Sequence, residues 1–133
     1  MEGLVSDTHA LVWYLLKSEK LSAPALSKME ATIERGGVIS VPSVCLVEIV
    51  YLGEKGRIPW TAWDLLQEHL DRPDTGLSVV PLDRRIAETL RRVPRKLVPD
   101  MPDRIIAATA VSLDVPLVTR DGLIKTADVE TIW

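Results

Sequence analysis

The chain has 133 residues, of which 47% are hydrophobic and 26% are charged, and its formal net charge is -3. These values exclude a mainly disordered chain and a collagen-like repeat, and they give no overall positive charge of the kind that favours nucleic-acid binding. The longest stretch without a charged residue is residues 36–47, which is too short to cross a bilayer.

The hydrophobic pattern predicts strands that alternate with helices along the whole chain. The predicted strands are residues 4–6, 38–41, 77–82, 116–119 and 129–132. The predicted helices are residues 10–16, 22–35, 43–54, 62–70, 83–93, 103–113 and 122–126. Because the strands are short, apolar and separated by helices, we expect an α/β fold with a parallel sheet covered on both faces.

The start of the chain and its cysteine content bear on location and domain count. The chain opens with Glu2 rather than a basic segment and lacks the apolar core of a signal peptide. Cys45 has no second cysteine with which to form a disulfide. We therefore expect a single domain over residues 1–133, in a reducing cytoplasm and without a membrane partner.

Acidic residues stand near the ends of several predicted strands. Asp7 follows the first strand, Glu48 lies in the helix after the second, and Asp121 follows the strand that ends at Thr119. Asp103 begins the helix that leads into that same strand. Because open parallel sheets bind ligands outside the carboxyl ends of their strands, these four carboxylates are candidates for one shared site.

Three of these acids also have a purely structural interpretation. Asp7 is placed to cap the following helix, and Asp103 stands three residues after Asp100 in a pattern typical of a helix start. Asp121 precedes Gly122 and is typical of a turn. Taken one at a time, these positions leave the structural and functional interpretations open.

Glu48 is harder to explain structurally, because it is the only charged residue between Gly37 and Gly53. On a helix it shares a face with Val44, Tyr51 and Leu52, so a solvated charged stripe is not expected there. An unpaired buried carboxylate costs several kcal/mol or stays protonated, which makes a metal ion or a cationic partner its natural company.

Clustered carboxylates favour one kind of chemistry. They are the ligands that hard divalent cations prefer, and such a cation activates water and stabilises the leaving oxygen in phosphodiester hydrolysis. Other catalytic sets are missing: His9 and His69 have no adjacent nucleophile pattern, Cys45 lies in an apolar helix, and no glycine-rich phosphate loop is present. The residues therefore predict a metal-dependent phosphodiesterase.

Segments 6–11, 102–110 and 117–121, together with the lone Glu48, resemble the successive motifs of PIN-domain ribonucleases. The resemblance is closest to the VapC-type toxins of toxin–antitoxin modules, and it covers essentially the whole chain, including residues 131–133. It implies a three-layer α/β/α fold with a central parallel sheet of about four or five strands, Mg²⁺ or Mn²⁺ dependence, and endonucleolytic cutting of RNA.

The resemblance also assigns roles to individual residues. Asp7, Glu48, Asp103 and Asp121 match the acidic quartet of the family as catalytic and metal-binding residues. Thr119 matches a hydroxyl that often supports the quartet. Asp100 stands where these toxins often have another acid, although Pro102 replaces a residue that is commonly larger.

A basic segment separates the third predicted strand from the last long helix. Between Asp83 and Leu97, six basic residues stand against two acidic residues, a local charge of +4. The basic residues are Arg84, Arg85, Arg91, Arg92, Arg95 and Lys96. We expect Glu88 to pair with Arg84 and Arg92, and the segment is either a solvated helix face or a surface that binds RNA phosphates or an acidic antitoxin segment.

Two apolar regions suggest partner chains. The first helix carries Trp13 and Tyr14 and is apolar around most of its circumference, and Trp60 and Trp63 stand near the start of another helix. Such surfaces belong either to the core or to an interface. With the family resemblance, they lead us to expect a homodimer and a cognate antitoxin whose basic side chain contacts the acidic pocket.

Two other functions fit parts of the pattern. A phospho-receiver module also places acids at strand ends, but it needs an acidic pair after its first strand and a lysine after its last. Asp7 has no acidic neighbour, and no lysine stands next to Val118. A catalytically inactive PIN-fold binding module is the other alternative, against which the complete acidic quartet argues.

Overall fold

The computed structural model describes residues 3–122, 124 and 128–133. The strands are β1 (Gly3–Ser6), β2 (Val38–Pro42), β3 (Leu77–Val80), β4 (Leu117–Val118) and β5 (Thr131–Ile132). The helices are α1 (Thr8–Leu15), α2 (Ala23–Glu34), α3 (Ser43–Glu54), α4 (Thr61–Asp71), α5 (Arg84–Thr89) and α6 (Met101–Leu113), with a 3₁₀ turn at Leu90–Arg92.

The five strands form one parallel sheet in the order β3-β2-β1-β4-β5. Helices flank the sheet, so the predicted three-layer α/β/α fold is confirmed. The chain builds outward from β1 in one direction through β2 and β3, and in the other through β4 and β5. This reversal places a crevice at the carboxyl ends of β1 and β4, where ligands bind in such sheets.

The sheet order also bears on the phospho-receiver alternative. In a receiver, the first strand lies between the second and the third. In this chain β1 lies between β2 and β4, and β3 is at the edge beyond β2. The phospho-receiver interpretation therefore does not fit this sheet.

The core lies around the central strands. Leu4 and Val5 of β1 are fully buried, as are Ile39 and Val41 of β2 and Leu117 of β4. Full burial of such a side chain stabilises a fold by about 1.5–3 kcal/mol, so these strands and their flanking helices anchor the sheet. The carboxyl ends of β1 and β4 therefore follow strands that are anchored in the core.

The predicted helix over residues 83–93 is shorter in the structure. Asp83 caps α5 by accepting the amide of Ile86 at 2.9 Å. At the other end, the Arg104 guanidinium donates to the carbonyls of Leu90 and Val93, each at 2.8 Å. Because these carbonyls are bound from α6, the chain tightens into a 3₁₀ turn and leaves the helix.

Other boundaries differ from the predicted ones for local reasons. The third strand ends at Val80 because Pro81 has no amide to extend the ladder. Helix α6 begins two residues earlier than predicted, with Asp100 as its cap and Pro102 in its first turn. The last two strands are shorter than predicted, and the predicted helix over residues 122–126 lies largely outside the described residues.

Most of the apolar surface of α1 is core. Trp13 is only 9% exposed, and Tyr14 packs half-buried against the core. Trp60 is 48% exposed, but its ring lies over Gly53, where an added Cβ would come within 2.9 Å of the ring. Residue 53 must therefore be glycine for this packing.

None of the helices in the described ranges combines the length and the apolar character that spanning a bilayer requires.

Candidate active site

Three of the four predicted quartet acids line one open cleft. Asp7 follows β1, Asp121 follows the adjacent strand β4, and Asp103 lies in the first turn of α6. The cleft has a volume of about 220 Å³, and its other lining residues are His9, Trp13 and Arg120. The parallel sheet brings these residues together because it places the carboxyl ends of β1 and β4 side by side.

Asp7 both caps a helix and lines the cleft. Its carboxylate Oδ1 accepts the amide of Ala10 at 2.8 Å and caps α1, as the structural interpretation predicted. The same side chain lines the cleft. Burial raises the pKa of Asp7, as does the charge of Asp121, while hydrogen bonds from Thr119 and Ala10 oppose the rise.

Thr119 connects two of the acids. Its side chain is fully buried, and its hydroxyl oxygen accepts the amide of Asp121 at 3.0 Å. The same hydroxyl is a hydrogen-bond partner of the Asp7 carboxylate. Thr119 thus lies where the resemblance predicts a supporting hydroxyl, between the acids that follow β1 and β4.

Asp103 carries the clearest electrostatic signature in the cleft. Its pKa is raised from 3.8 to about 7, mainly by burial and next by the charge of Asp100. Asp121, Glu48 and Asp7 contribute in the same direction. All four other acids singled out from the sequence therefore act on this one carboxyl group, as expected for acids that converge on a single site.

Asp100 has a structural position at the edge of this group. It is exposed, and its carboxylate caps α6 by accepting the amide of Asp103 at 3.3 Å. Its charge raises the pKa of both Asp103 and Glu48. Asp100 therefore adds negative charge to the site from the rim.

Glu48 lies beside the cleft rather than in its lining. Its Oε1 accepts a hydrogen bond from the hydroxyl of Thr8, the residue that comes after Asp7. Burial is the main reason that the pKa of Glu48 is raised, and the charges of Asp100 and Asp7 add to the rise. The Thr8 hydroxyl therefore ties Glu48 to the acids at the end of β1.

The face of α3 that carries Glu48 borders an apolar groove. The groove has a volume of about 380 Å³. Besides Glu48, its lining residues are Val44, Val47, Tyr51, Leu52, Lys55, Met101 and Pro102. Val47 is 55% exposed and Tyr51 is 59% exposed, so this face is an open apolar surface next to the acids and not part of the core.

The remaining nucleophile candidates do not belong to the cleft. Cys45 is fully buried, its thiol faces the carbonyl of Ser6 at 3.8 Å, and burial raises its pKa, so it stays a protonated thiol. One nitrogen of the His69 ring contacts the carbonyl of Leu65 at 2.8 Å, on α4. Both observations agree with the sequence-based exclusion of these two residues.

The donor set can be compared with the needs of a divalent cation. Among the described residues, no three His, Cys, Asp or Glu side chains lie close enough to hold one ion together. Mg²⁺ commonly takes one or two protein carboxylates and keeps several waters. The clustered carboxylates and their raised pKa values fit a cation bound directly by one or two acids, with the others acting through water.

Sequence reasoning missed the roles of four residues in this region: Thr8, His9, Trp13 and Arg120. Thr8 could have been suggested by its place between Asp7 and the apolar helix, because the first helical turn faces the end of the strand. The apolar pattern does not decide whether Trp13 belongs to the core or to an interface. Arg120 is part of a motif in the sequence, but the motif gives it no role of its own. Their contact with each other depends on tertiary packing.

The basic segment is exposed on the surface. Glu88 pairs with Arg91 at 2.8 Å, not with Arg84 and Arg92 as predicted. The 3₁₀ turn explains this difference, because three residues per turn align positions i and i+3.

Comparison with known proteins gives a consistent result. The family model described as PIN domain matches residues 4–130. Among curated proteins, the chain is 27% identical over 130 residues to Ribonuclease VapC22 of Mycobacterium tuberculosis, covering 94% of this chain and 92% of that protein.

Several solved structures share the fold of this chain. VapBC2 of Rickettsia felis, bound to a DNA fragment from its promoter, gives a TM-score of 0.72 at 16% identity, over 97% of this chain and 96% of that chain. DNA-bound VapBC of Salmonella typhimurium gives a TM-score of 0.72 at 18% identity, over 98% of this chain and 97% of that chain. FitAcB of Neisseria gonorrhoeae gives a TM-score of 0.63 at 18% identity, over 96% of this chain and 95% of that chain.

Proposed function

The chain belongs to the PIN-domain family, and from this premise we propose that it is a divalent-metal-dependent endoribonuclease and the toxin of a toxin–antitoxin pair. The proposal rests on the convergence of acids around Asp103, whose pKa is raised to about 7 by burial and by the surrounding acids. The name of its relative, Ribonuclease VapC22, supports RNA as the substrate class.

Asp7, Glu48, Asp103 and Asp121 are the acids of the proposed Mg²⁺ or Mn²⁺ site, in which one or two would bind the ion directly and the others would act through water. When bound, such an ion lowers the pKa of a water molecule and stabilises the charge that develops on the phosphate oxygens. The chain's own residues hold the ligands in place: Thr119 and the amide of Ala10 orient Asp7. Thr8 orients Glu48.

The test is cleavage of RNA by the purified protein with Mg²⁺, with Mn²⁺ and with a chelator. We expect cleavage only with the metals, and we expect Asp7→Asn and Asp103→Asn each to abolish it because they remove a ligand charge without changing volume. Asp114→Asn is the matched control, since Asp114 is exposed at the far end of α6, in a left-handed conformation that asparagine accepts.

Circular dichroism reports whether the variants fold. Cleavage by either cleft variant at the rate of Asp114→Asn, at saturating Mg²⁺, would reject the metal-site assignment. Wild-type protein that binds but never cuts RNA would favour the inactive PIN-fold binding module. The same assay therefore separates the two functions that remain.

We propose a cognate antitoxin as the inhibitory partner. The similar solved structures include VapBC complexes and a toxin–antitoxin complex from Klebsiella pneumoniae, which supports a partner of this type. The apolar groove beside Glu48 suits a short apolar segment whose basic side chain reaches the carboxylates. Failure of every co-encoded small protein to inhibit cleavage would reject this partner.

Assembly and location are proposed on the family resemblance. We propose a homodimer built from single-domain chains in the cytoplasm, with the exposed basic segment Arg84–Lys96 contacting RNA phosphates or the antitoxin. The single, buried and reduced Cys45 is compatible with that compartment. Light scattering that gives a monomer at tens of micromolar protein would reject the dimer.

A further inference from the structure

Arg120 lies in the acidic cleft and stacks on a tryptophan. Its guanidinium carbon is 4.8 Å from the centroid of the Trp13 ring, and both residues line the cleft. Arg120 is exposed, whereas Trp13 is only 9% exposed. The cation therefore sits on a nearly buried aromatic surface and faces solvent at the mouth of the cleft.

The Trp13 ring is fixed by its own neighbours. The Trp133 ring packs at 5.8 Å between centroids, and the His9 ring packs at 5.6 Å. Tilted aromatic pairs at such distances are favourable, so the ring has a defined orientation. The contact with Arg120 therefore places the guanidinium against a ring whose own position is fixed.

Arg120 is close to Asp7 and Asp103 without a salt bridge to either in the described part of the chain. Its chain neighbours are Thr119 and Asp121, and Asp7 and Asp103 line the same cleft. Among the described residues, no salt bridge joins Arg120 to Asp7 or to Asp103. The stack on Trp13 thus keeps the cation beside these two carboxylates while leaving them available to another cation.

A polyanionic strand that approaches this cleft meets clustered carboxylates first. Their field repels phosphate, so a strand needs a fixed positive group at the mouth of the cleft. A planar guanidinium matches the geometry of a phosphate and donates two parallel hydrogen bonds to it. Among the described residues that line this cleft, Arg120 is the one permanent cation.

We propose that Arg120, stacked on Trp13, binds a backbone phosphate of the RNA strand at the mouth of the acidic cleft. This inference rests on the proposed ribonuclease function and adds a substrate-binding residue to it. The bound phosphate is a neighbour of the scissile one, because the carboxylates occupy the interior of the cleft. Arg120 thus sets the position of the strand relative to the acids.

The test compares Arg120→Met, which removes the charge at similar length, with Arg120→Lys, which keeps the charge but loses the planar fork. Arg72→Met is the matched control, because Arg72 is an exposed arginine that caps the end of α4 just before β3, at the opposite edge of the sheet. Binding of a labelled single-stranded RNA of mixed sequence is measured over a range of salt concentrations, in the Asp7→Asn background, which prevents cleavage.

We expect Arg120→Met to weaken RNA binding roughly ten-fold, as for loss of one charge-assisted hydrogen-bonded contact. The slope of log affinity against log salt should become shallower by roughly 0.7, the value for one phosphate on a single strand. Arg120→Lys should fall between wild type and Arg120→Met. In the cleavage-competent protein, Arg120→Met should raise KM more than it lowers kcat.

The outcomes separate this inference from the function on which it rests. Wild-type protein that neither binds nor cuts RNA would overturn both. Wild-type cleavage together with equal RNA affinities for Arg120→Met and Arg72→Met would overturn the inference alone. An altered Mg²⁺ affinity without RNA, with RNA affinity unchanged, would also overturn it and would make Arg120 an internal counter-ion of the acids.

Discussion

The acidic cleft and the basic segment Arg84–Lys96 each contain several charges of one sign, but they differ in their exposure to water. At the cleft, burial and mutual repulsion raise the pKa values of Asp7, Glu48 and Asp103. The basic segment is exposed to water. Water screens repulsion between the cations fully, whereas the partly buried acids are screened less.

This difference in burial indicates which of the two charge clusters requires a ligand. A solvated cluster persists without a partner, because removing one of its charges changes the folded state little. A partly buried cluster of carboxylates lowers the stability of the fold unless protons or a metal ion neutralise it. We therefore expect substitutions in the cleft to change activity and stability together, and substitutions in the basic segment to change only binding.

The largest effect expected outside the cleft lining is that of Glu48→Gln. The substitution keeps the oxygen that accepts the Thr8 hydrogen bond but removes a ligand charge, so cleavage should fall by about a hundred-fold or more, given that a metal site supplies several kcal/mol. The metal-free protein should become more stable near neutral pH, because the raised pKa of Glu48 means that its charge disfavours the fold.

Single-turnover cleavage and thermal unfolding in a chelator measure the two effects of Glu48→Gln. A large loss of stability in the metal-free protein would contradict this prediction, because it would indicate a buried ion pair in place of a metal ligand.

The second prediction concerns pH. In the folded protein the pKa of Asp103 is about 7, against an ordinary value of 3.8. Between these values the folded state holds a proton that the unfolded state has lost, so the stability of the metal-free protein should fall as pH rises from about 4 to about 7. Above that range the loss is complete, and there Mg²⁺ should stabilise the protein most.

Thermal unfolding across this pH range, with chelator and with Mg²⁺, checks the expectation. Asp103→Asn should flatten the pH dependence of the metal-free protein, and Asp114→Asn should leave it as in the wild type. Stability that instead rises with pH over the same range would contradict the assigned raised pKa.

A smaller effect is expected at Thr8, a positioning residue that is 3% exposed and donates to Glu48. Thr8→Val removes the hydroxyl at equal size, and we expect a loss of roughly ten-fold in kcat/KM, as for one hydrogen bond to a charged group. Thr8→Ser keeps the hydroxyl and should therefore keep most of the wild-type kcat/KM. Wild-type kcat/KM in Thr8→Val would contradict this role of the hydroxyl.

The smallest effect on the fold should come from reversing charge in the basic segment. Arg91→Glu with Arg92→Glu should leave the melting temperature nearly unchanged, since both side chains are exposed and Arg91 loses only a surface pair with Glu88. If the segment contacts RNA, binding should weaken and its salt dependence should become shallower. Unchanged RNA affinity at every salt concentration would identify a purely solvated face.

Local pattern and strand direction were enough to predict part of the site. Asp7 and Asp121 come at strand ends, and the parallel order of the sheet alone brings strand ends to one edge. The end of the basic helix was predicted too late, because Arg104 captures its last carbonyls from α6. The contact of Arg120 with Trp13 joins residues far apart in the chain, and no periodicity encodes it.

The double position of Asp7 has a consequence for comparing diverged copies of this protein. Its Oδ1 caps α1, and a capping residue is retained for folding even after catalysis has been lost. In α6 the capping carboxylate is that of Asp100, while the Asp103 carboxyl group is one whose ionisation opposes folding. An acid at position 103 is therefore the better marker of a copy that is still enzymatically competent.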